Sequence, residues 1–141
     1  TGVTAADMLS TTSVADGDNV WCVAGLPDVQ ANIHSTGYPL ENVTFVEGDV
    51  AQTLKSSLPE TISLLRLDTD WYESTRMELE VLYPRLAVGG VCIFDDYGHW
   101  QGARKAVDEY FEKLCHRPYM HPSDYSGRVL IKTQHSSGLS S

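Results

Sequence analysis

The chain has 141 residues, 42% apolar and 21% charged, with nineteen acidic against ten basic side chains and a net charge of −9. That length supports one hydrophobic core rather than two ordinary domains, and the composition is that of a soluble globular protein. The acidic balance, three scattered cysteines (Cys22, Cys92, Cys115) and the lack of a basic run, signal peptide or membrane-length apolar stretch argue against nucleic-acid or membrane partners and a disulfide framework, and for a reducing cytoplasm.

Residues 1–20, rich in Thr, Ser, Ala, Asp and Gly, read as a loop or lid with one short helix around Thr4–Leu9. Val20–Val23 reads as a short strand. Pro27 suits the first turn of a helix running to about Ser35, which Gly37 stops. Val43–Val46 reads as a strand closed by Gly48-Asp49, and a short helix over Val50–Leu58 ends at Pro59. Ile62–Leu67 is a clear apolar strand. Thr75 and Glu78 have capping-box spacing. Leu79, Leu82, Tyr83 and Leu86 then give the stripe of a helix lying on a sheet, kinked by Pro84 and stopped by Gly89-Gly90. Val91–Phe94 is β-branched and aromatic enough for a central strand. A second amphipathic helix carries Ala103, Ala106, Val107, Tyr110, Phe111 and Leu114 on one face. Tyr119–His121 and Arg128–Thr133 pair as a closing antiparallel hairpin around Ser126-Gly127, and residues 134–141 form a polar tail expected to be disordered.

Alternating strands and helices predict an α/β fold with a largely parallel sheet. The Gly-rich strand-to-helix turn that opens nucleotide-binding α/β domains is not among these residues, so the segment corresponds to the later part of such a domain.

The chemistry concentrates where two of these strands end. Leu64-Leu65-Arg66-Leu67 runs into Asp68-Thr69-Asp70, and Val91-Cys92-Ile93-Phe94 runs into Asp95-Asp96. The carboxyl ends of strands are where open α/β sheets bind ligands, and clustered acids repel one another unless a hard cation or a shifted pKa compensates. Three carboxylates plus waters suit Mg²⁺, and a fourth off the metal can act as a base on a substrate hydroxyl. Asp68 and Asp70, two apart, share a side of an extended backbone. Asp95 and Asp96 face one site only if the chain turns there, which Gly98 permits. Arg66 shares a face with Asp68 and neutralises nearby acids. His99 is a candidate substrate ligand or base, or a solvated loop residue. Trp71 and Trp100 wall a ligand or simply pack.

These residues carry a resemblance. Leu65-Arg66-Leu67-Asp68-Thr69-Asp70-Trp71-Tyr72-Glu73-Ser74-Thr75 resembles the signature of the macrocin-type (TylF-like) sugar O-methyltransferases. So do Leu82-Tyr83-Pro84-Arg85-Leu86 with Gly89-Gly90, Asp95-Asp96-Tyr97-Gly98-His99-Trp100 with Gly102-Ala103-Arg104-Lys105-Ala106-Val107-Asp108, and Asp124-Tyr125-Ser126-Gly127-Arg128. The resemblance runs from about Val20 to Thr133. It implies a Rossmann-like class I methyltransferase sheet, without its N-terminal cofactor-binding strands and closed by an antiparallel hairpin. Residues 1–133 are then a partial methyltransferase domain with residues 1–20 as its lid. It implies S-adenosylmethionine and Mg²⁺ as cofactors and a hydroxyl of a sugar or glycosylated small molecule as methyl acceptor. Position by position, it implies Asp68, Asp95 and Asp96 as metal ligands and Asp70 as general base, with His99 the next candidate. Gly48 and Asp49 fall at the pocket for the adenosyl group. Homo-oligomerisation is left open. Two other readings compete: an Asp-x-Asp glycosyltransferase that holds a metal against a nucleotide-sugar, and a truncated, inactive domain.

Overall fold

The computed structural model describes residues 24–56, 58–114 and 117–134. The expected Thr4–Leu9 helix, Val20–Val23 strand and lid lie outside the described residues, as do positions 135–141 of the tail. The chain divides into two compact units, Gly2–Gly48 and Asp49–Ser141, the latter grouped with Thr1.

In the first unit, helix α1 (Leu26–Ser35) has Gly25 as N-cap and Pro27 in its first turn, and Gly37 follows its end at φ 75°. A 3₁₀ turn covers Leu40–Asn42. The strand expected over Val43–Val46 is not formed. The backbone is extended at Val43, but no neighbouring chain completes a ladder among the described residues, and Val46 is half exposed. Extended conformation without a hydrogen-bonded partner is not a sheet strand.

In the second unit, α2 (Val50–Thr53) is shorter than expected because the chain tightens into 3₁₀-type bonds, Lys55 N–H to Gln52 and Ser56 N–H to Thr53. Strand β1 (Ile62–Leu67), helix α3 (Tyr72–Leu82), a 3₁₀ turn (Tyr83–Arg85), β2 (Leu86–Phe94), helix α4 (Gln101–Lys113), and the short strands β3 (His121–Pro122) and β4 (Arg128–Ile131) follow. The sheet order is β1-β2-β4-β3. As expected, β1 and β2 are adjacent and parallel, with Leu65 opposite Cys92 and Leu67 opposite Phe94. The closing hairpin is antiparallel, and β4 also pairs antiparallel with β2.

Three sequence expectations around α3 are corrected. The helix starts at Tyr72, so Thr75 and Glu78 lie inside it and make no capping box; both are buried. Pro84 does not kink the helix but ends it, within a 3₁₀ turn where its missing N–H costs little. Leu86 and Gly89-Gly90 belong to β2 rather than to the helix and its stop. Gly89 takes φ 85°, and the β1–β2 register breaks between Ile62 and Leu64. The glycines thus serve a bulge inside a strand.

Leu79, Tyr83, Val107 and Phe111 from the helical segments close over Leu65, Leu67, Leu86, Cys92, Phe94 and Leu130 from the sheet. Cys92 is a free, fully buried thiol that burial pushes up to about 12. Among the described residues, Lys132 is buried beside this core along with Thr75 and Glu78. It is 2% exposed, and its Nζ donates to the carbonyls of Tyr83 (3.0 Å), Pro84 (3.3 Å) and Leu86 (2.7 Å). The three ammonium protons therefore meet three acceptors, at the carbonyl end of α3 where a cation is favoured. No described helix is long and apolar enough to cross a membrane.

Candidate active site

Leu67 and Phe94 are the last register pair of β1 and β2, and Asp95 N–H donates to the Leu67 carbonyl at 3.0 Å. The two strands therefore release their acidic ends side by side. Each then feeds a helix, α3 or α4, whose starts lie close together: a Cβ on Gly102 would stand 3.0 Å from the Tyr72 nitrogen. Two sets of helix N-terminal N–H groups, with their positive dipole ends, begin next to the acids.

Asp70 has φ 62°, and Trp71 N–H donates across it to the Thr69 carbonyl at 2.6 Å. This tight turn puts a non-glycine residue in the left-handed region, at a cost of about 1–2 kcal/mol. Ser74 Oγ fastens the turn by donating to Thr69 O (3.2 Å) and Trp71 O (3.1 Å).

Asp68, Asp70 and Asp96 each contribute one carboxylate oxygen to a group whose members lie within 4.8 Å of one another. Asp95 is turned to Arg66, whose Nη2 stands 3.0 Å from Asp95 Oδ1 and 2.9 Å from Asp68 Oδ2. The structure therefore brings Asp70, the expected base, into the group with Asp68 and Asp96, and ties Asp95 to a guanidinium beside them. His99 is exposed on the loop after Asp96, with Nδ1 3.0 Å from the Tyr125 hydroxyl. Gly48 takes φ 136°, and Asp49 Oδ1 accepts from Ala51 N–H at 2.9 Å as the N-cap of α2.

The electrostatics show an unbalanced site. Burial, then Asp70 and the charges of Asp68 and Asp95, push Asp96 up to about 7. Asp68 is also raised, by burial and by Asp95, with Arg66 pulling the other way. Asp96 Oδ2 is buried and receives no hydrogen bond from the described residues. Its neighbour is the Asp70 carboxylate, an acceptor facing an acceptor unless the two share a proton. A cavity of about 10 Å³ lined by Asp70, Asp95, Asp96, Thr69 and Thr75 lies here, near the smallest that admits one water.

A divalent cation fits this donor set. Three hard oxygen ligands with excess negative charge and one orphaned carboxylate oxygen are what Mg²⁺ or Ca²⁺ would complete. Oxygens within 4.8 Å of one another lie no further apart than about twice a calcium–oxygen distance.

Glu78 is the ionisable group that sequence reading misassigned. It is 6% exposed, accepts from Thr69 Oγ1 at 2.9 Å, and is raised by burial to about 7. Its position was readable: Thr75, Glu78, Leu79 and Leu82 fall at i, i+3, i+4 and i+7 and so share the buried stripe.

Residues 11–125 match the family described as Macrocin-O-methyltransferase (TylF). The chain belongs to this family. Among curated relatives, demethyldecarbamoylnovobiocin O-methyltransferase of Streptomyces niveus is 40% identical over 87 residues, 62% of this chain and 33% of that protein. Mycinamicin III 3''-O-methyltransferase of Micromonospora griseorubida is 36% identical over 88 residues, 62% of this chain and 34% of that protein. Among solved structures, the O-methyltransferase NovP superposes with a TM-score of 0.75 at 33% identity, covering 79% of this chain and 46% of that one. CalS11, a TDP-rhamnose 3'-O-methyltransferase of calicheamicin biosynthesis, gives 0.60 at 25% identity, over 77% and 53%. The chain thus spans about a third of the length of these curated relatives and about half of the solved chains. Macrocin-type membership sets aside the glycosyltransferase reading of Asp68-Thr69-Asp70.

Proposed function

We propose that this chain carries the metal-binding and acid–base end of a class I methyltransferase domain that transfers a methyl group from S-adenosylmethionine to a hydroxyl of a sugar-bearing small molecule. One observation supports the reading: acids from two parallel strand ends converge, in a member of the macrocin family, in a cluster whose negative charge the single Arg66 guanidinium only partly offsets. Asp68 and Asp96 are the core of the metal set. Asp95 joins them on leaving Arg66, a pair exposed enough to exchange. Mg²⁺, when bound, supplies a Lewis acid that makes the acceptor hydroxyl easier to ionise. S-adenosylmethionine would supply the methyl group.

Asp70, whose oxygen lies in that same cluster, is the general base on the reading that Asp95 takes its place at the metal and Asp70 stays off it. A sugar hydroxyl does not ionise by itself at neutral pH, and a carboxylate held in one orientation within the cluster takes that proton as the oxygen attacks. The left-handed turn at Asp70 and the place of its carboxylate in the cluster support this reading. His99, exposed and hydrogen-bonded through one ring nitrogen, is the alternative base. A small sugar-containing partner and a cytoplasmic setting, in which the Cys92 thiol stays reduced, complete the reading.

The test is label transfer. The chain is incubated with methyl-labelled S-adenosylmethionine, Mg²⁺ and a rhamnosylated acceptor, beside calorimetric titration of S-adenosylmethionine with and without Mg²⁺. Label in the acceptor, lost with EDTA and in Asp70→Asn, is the expected result. Donor binding without transfer to any sugar acceptor would overturn it.

A further inference from the structure

Beside the carboxylates stands a group of aromatic rings of which the chemistry above draws on His99 alone, and only as an alternative base. Trp71 follows Asp70 directly, and Trp100 N–H donates to the Asp96 carbonyl at 2.9 Å. The two indole centroids are 5.5 Å apart, tilted by 38°. The His99 ring stands 4.8 Å from Trp100 at 88°, and Tyr125 stands 5.8 Å from His99 at 85°. Three separate loops therefore deliver four rings to one angled surface.

Two of these rings are exposed, and Tyr125 is 74% exposed. A ring so exposed contributes little to the core, yet its loop is locked. Asp124 Oδ1 accepts from Ser126 N–H (2.8 Å) and Gly127 N–H (2.6 Å), and Gly98 N–H donates to the Ser126 carbonyl (2.7 Å). A Cβ on Gly98 would collide with the Tyr125 carbonyl oxygen and reach 2.8 Å from Ser126 Cα, so the loops touch backbone to backbone. Rigid, exposed aromatic surface beside polar groups is the composition of a ligand site, because pre-ordering lowers the entropy lost on binding.

We propose that Trp71, Trp100, His99 and Tyr125 form a stacking wall for the pyranose ring of the methyl acceptor, a subsite distinct from the carboxylates that act on its hydroxyl. The assignment rests on the acceptor being a sugar. Its chemistry follows from the two kinds of surface. Ionised carboxylates accept hydrogen bonds, so a ligand rich in donors suits this edge, and sugar hydroxyls supply them. Aromatic faces want apolar C–H groups, which one side of a pyranose offers. Rings set at 38° and near right angles make a corner that fits a puckered ring better than the flat slot a nucleobase needs.

The experiment follows the indole N–H signals of the whole chain by ¹H–¹⁵N NMR during titration with methyl α-L-rhamnopyranoside in Mg²⁺. A parallel titration uses S-adenosylmethionine, and methyl transfer is assayed on the same samples. Expected are shifts of the Trp71 and Trp100 signals, sugar binding weakened tenfold or more in Trp100→Ala and Tyr125→Ala, and near-normal binding in Trp100→Phe. Tyr125 is exposed enough that its alanine variant tests the idea even if Trp100→Ala fails to fold. Sugar binding unchanged in Tyr125→Ala, loss of S-adenosylmethionine binding in place of sugar binding, or no sugar binding by the unaltered chain would each overturn the wall. Sugar binding without methyl transfer would leave the wall standing and overturn the transferase reading; methyl transfer with an unchanged KM in both alanine variants would do the reverse.

Discussion

At the scale of single residues, Asp70 separates backbone strain from chemistry. Its left-handed φ of 62° is free for glycine and tolerable for asparagine, but β-branched residues oppose it. Asp70→Gly should therefore be at least as stable as the original, while Asp70→Val should lose about 1–3 kcal/mol in urea unfolding. Asp70→Asn should keep the fold and lose most turnover. On the proposed metal reading, Asp96, whose carboxyl is pushed up to about 7, should give up a proton when a cation binds beside Asp70. Mg²⁺ affinity should rise with pH through 7, and calorimetry at pH 6 in buffers of different ionisation enthalpy should detect the released proton. Glu78 makes a prediction for folding. Its carboxyl titrates at about 7 in the fold against a reference near 4.5, so the folded state keeps a proton that the unfolded chain sheds. The stability it contributes is full below about pH 4.5 and is lost as pH rises through about 7. Glu78→Gln should flatten that slope, read as the difference between melting temperatures at pH 5 and pH 8.

At the scale of elements, the contact between the Asp95–Trp100 loop and the β3–β4 loop is the most sensitive joint. Gly98→Ala must push the Tyr125–Ser126 backbone away. It should cost about 1–3 kcal/mol and broaden the Tyr125 and His99 resonances. The same scale shows where sequence reading works. β1, β2 and α4 are legible because their periodicity is strong and their neighbours are close in the chain. The Val43–Val46 strand fails because alternation reports a preference for extended backbone and says nothing of whether a partner lies alongside. α3 is misread at both ends for another reason. Glu78 fits a cap and a buried stripe equally well on paper, and Gly89-Gly90 stops a helix or bulges a strand depending on contacts with Lys132, over forty residues from α3. At the site, both acidic pairs are legible from the strand ends. Which acid faces which is not, because the Asp70 turn and the Arg66 bridge depend on φ and on rotamers that no spacing encodes.

At the scale of the whole molecule, Lys132 joins the last described strand segment to the end of α3 and the start of β2. Lys132→Met would remove the ammonium donor from three carbonyls, of which Tyr83 O keeps the Leu86 N–H, and the loss should be about 2–4 kcal/mol by urea unfolding. Removing residues 128–141 should abolish cooperative melting altogether, because β4 lies between β2 and β3 in the sheet. That placement sets a timetable for synthesis. On the ribosome, β1, α3, β2 and α4 all emerge before β4, so the free side of β2 waits while the remaining residues are added. At about 5–20 residues per second, the stretch from Phe94 to Lys132 takes roughly 2–8 s. Throughout that interval the strand that ends in Asp95 and Asp96 shows an open edge to every other nascent chain nearby. Crowded, fast expression should therefore harm the yield of this protein more than its finished stability would suggest, and slower translation between Phe94 and Lys132 should restore little unless a chaperone covers β2 meanwhile.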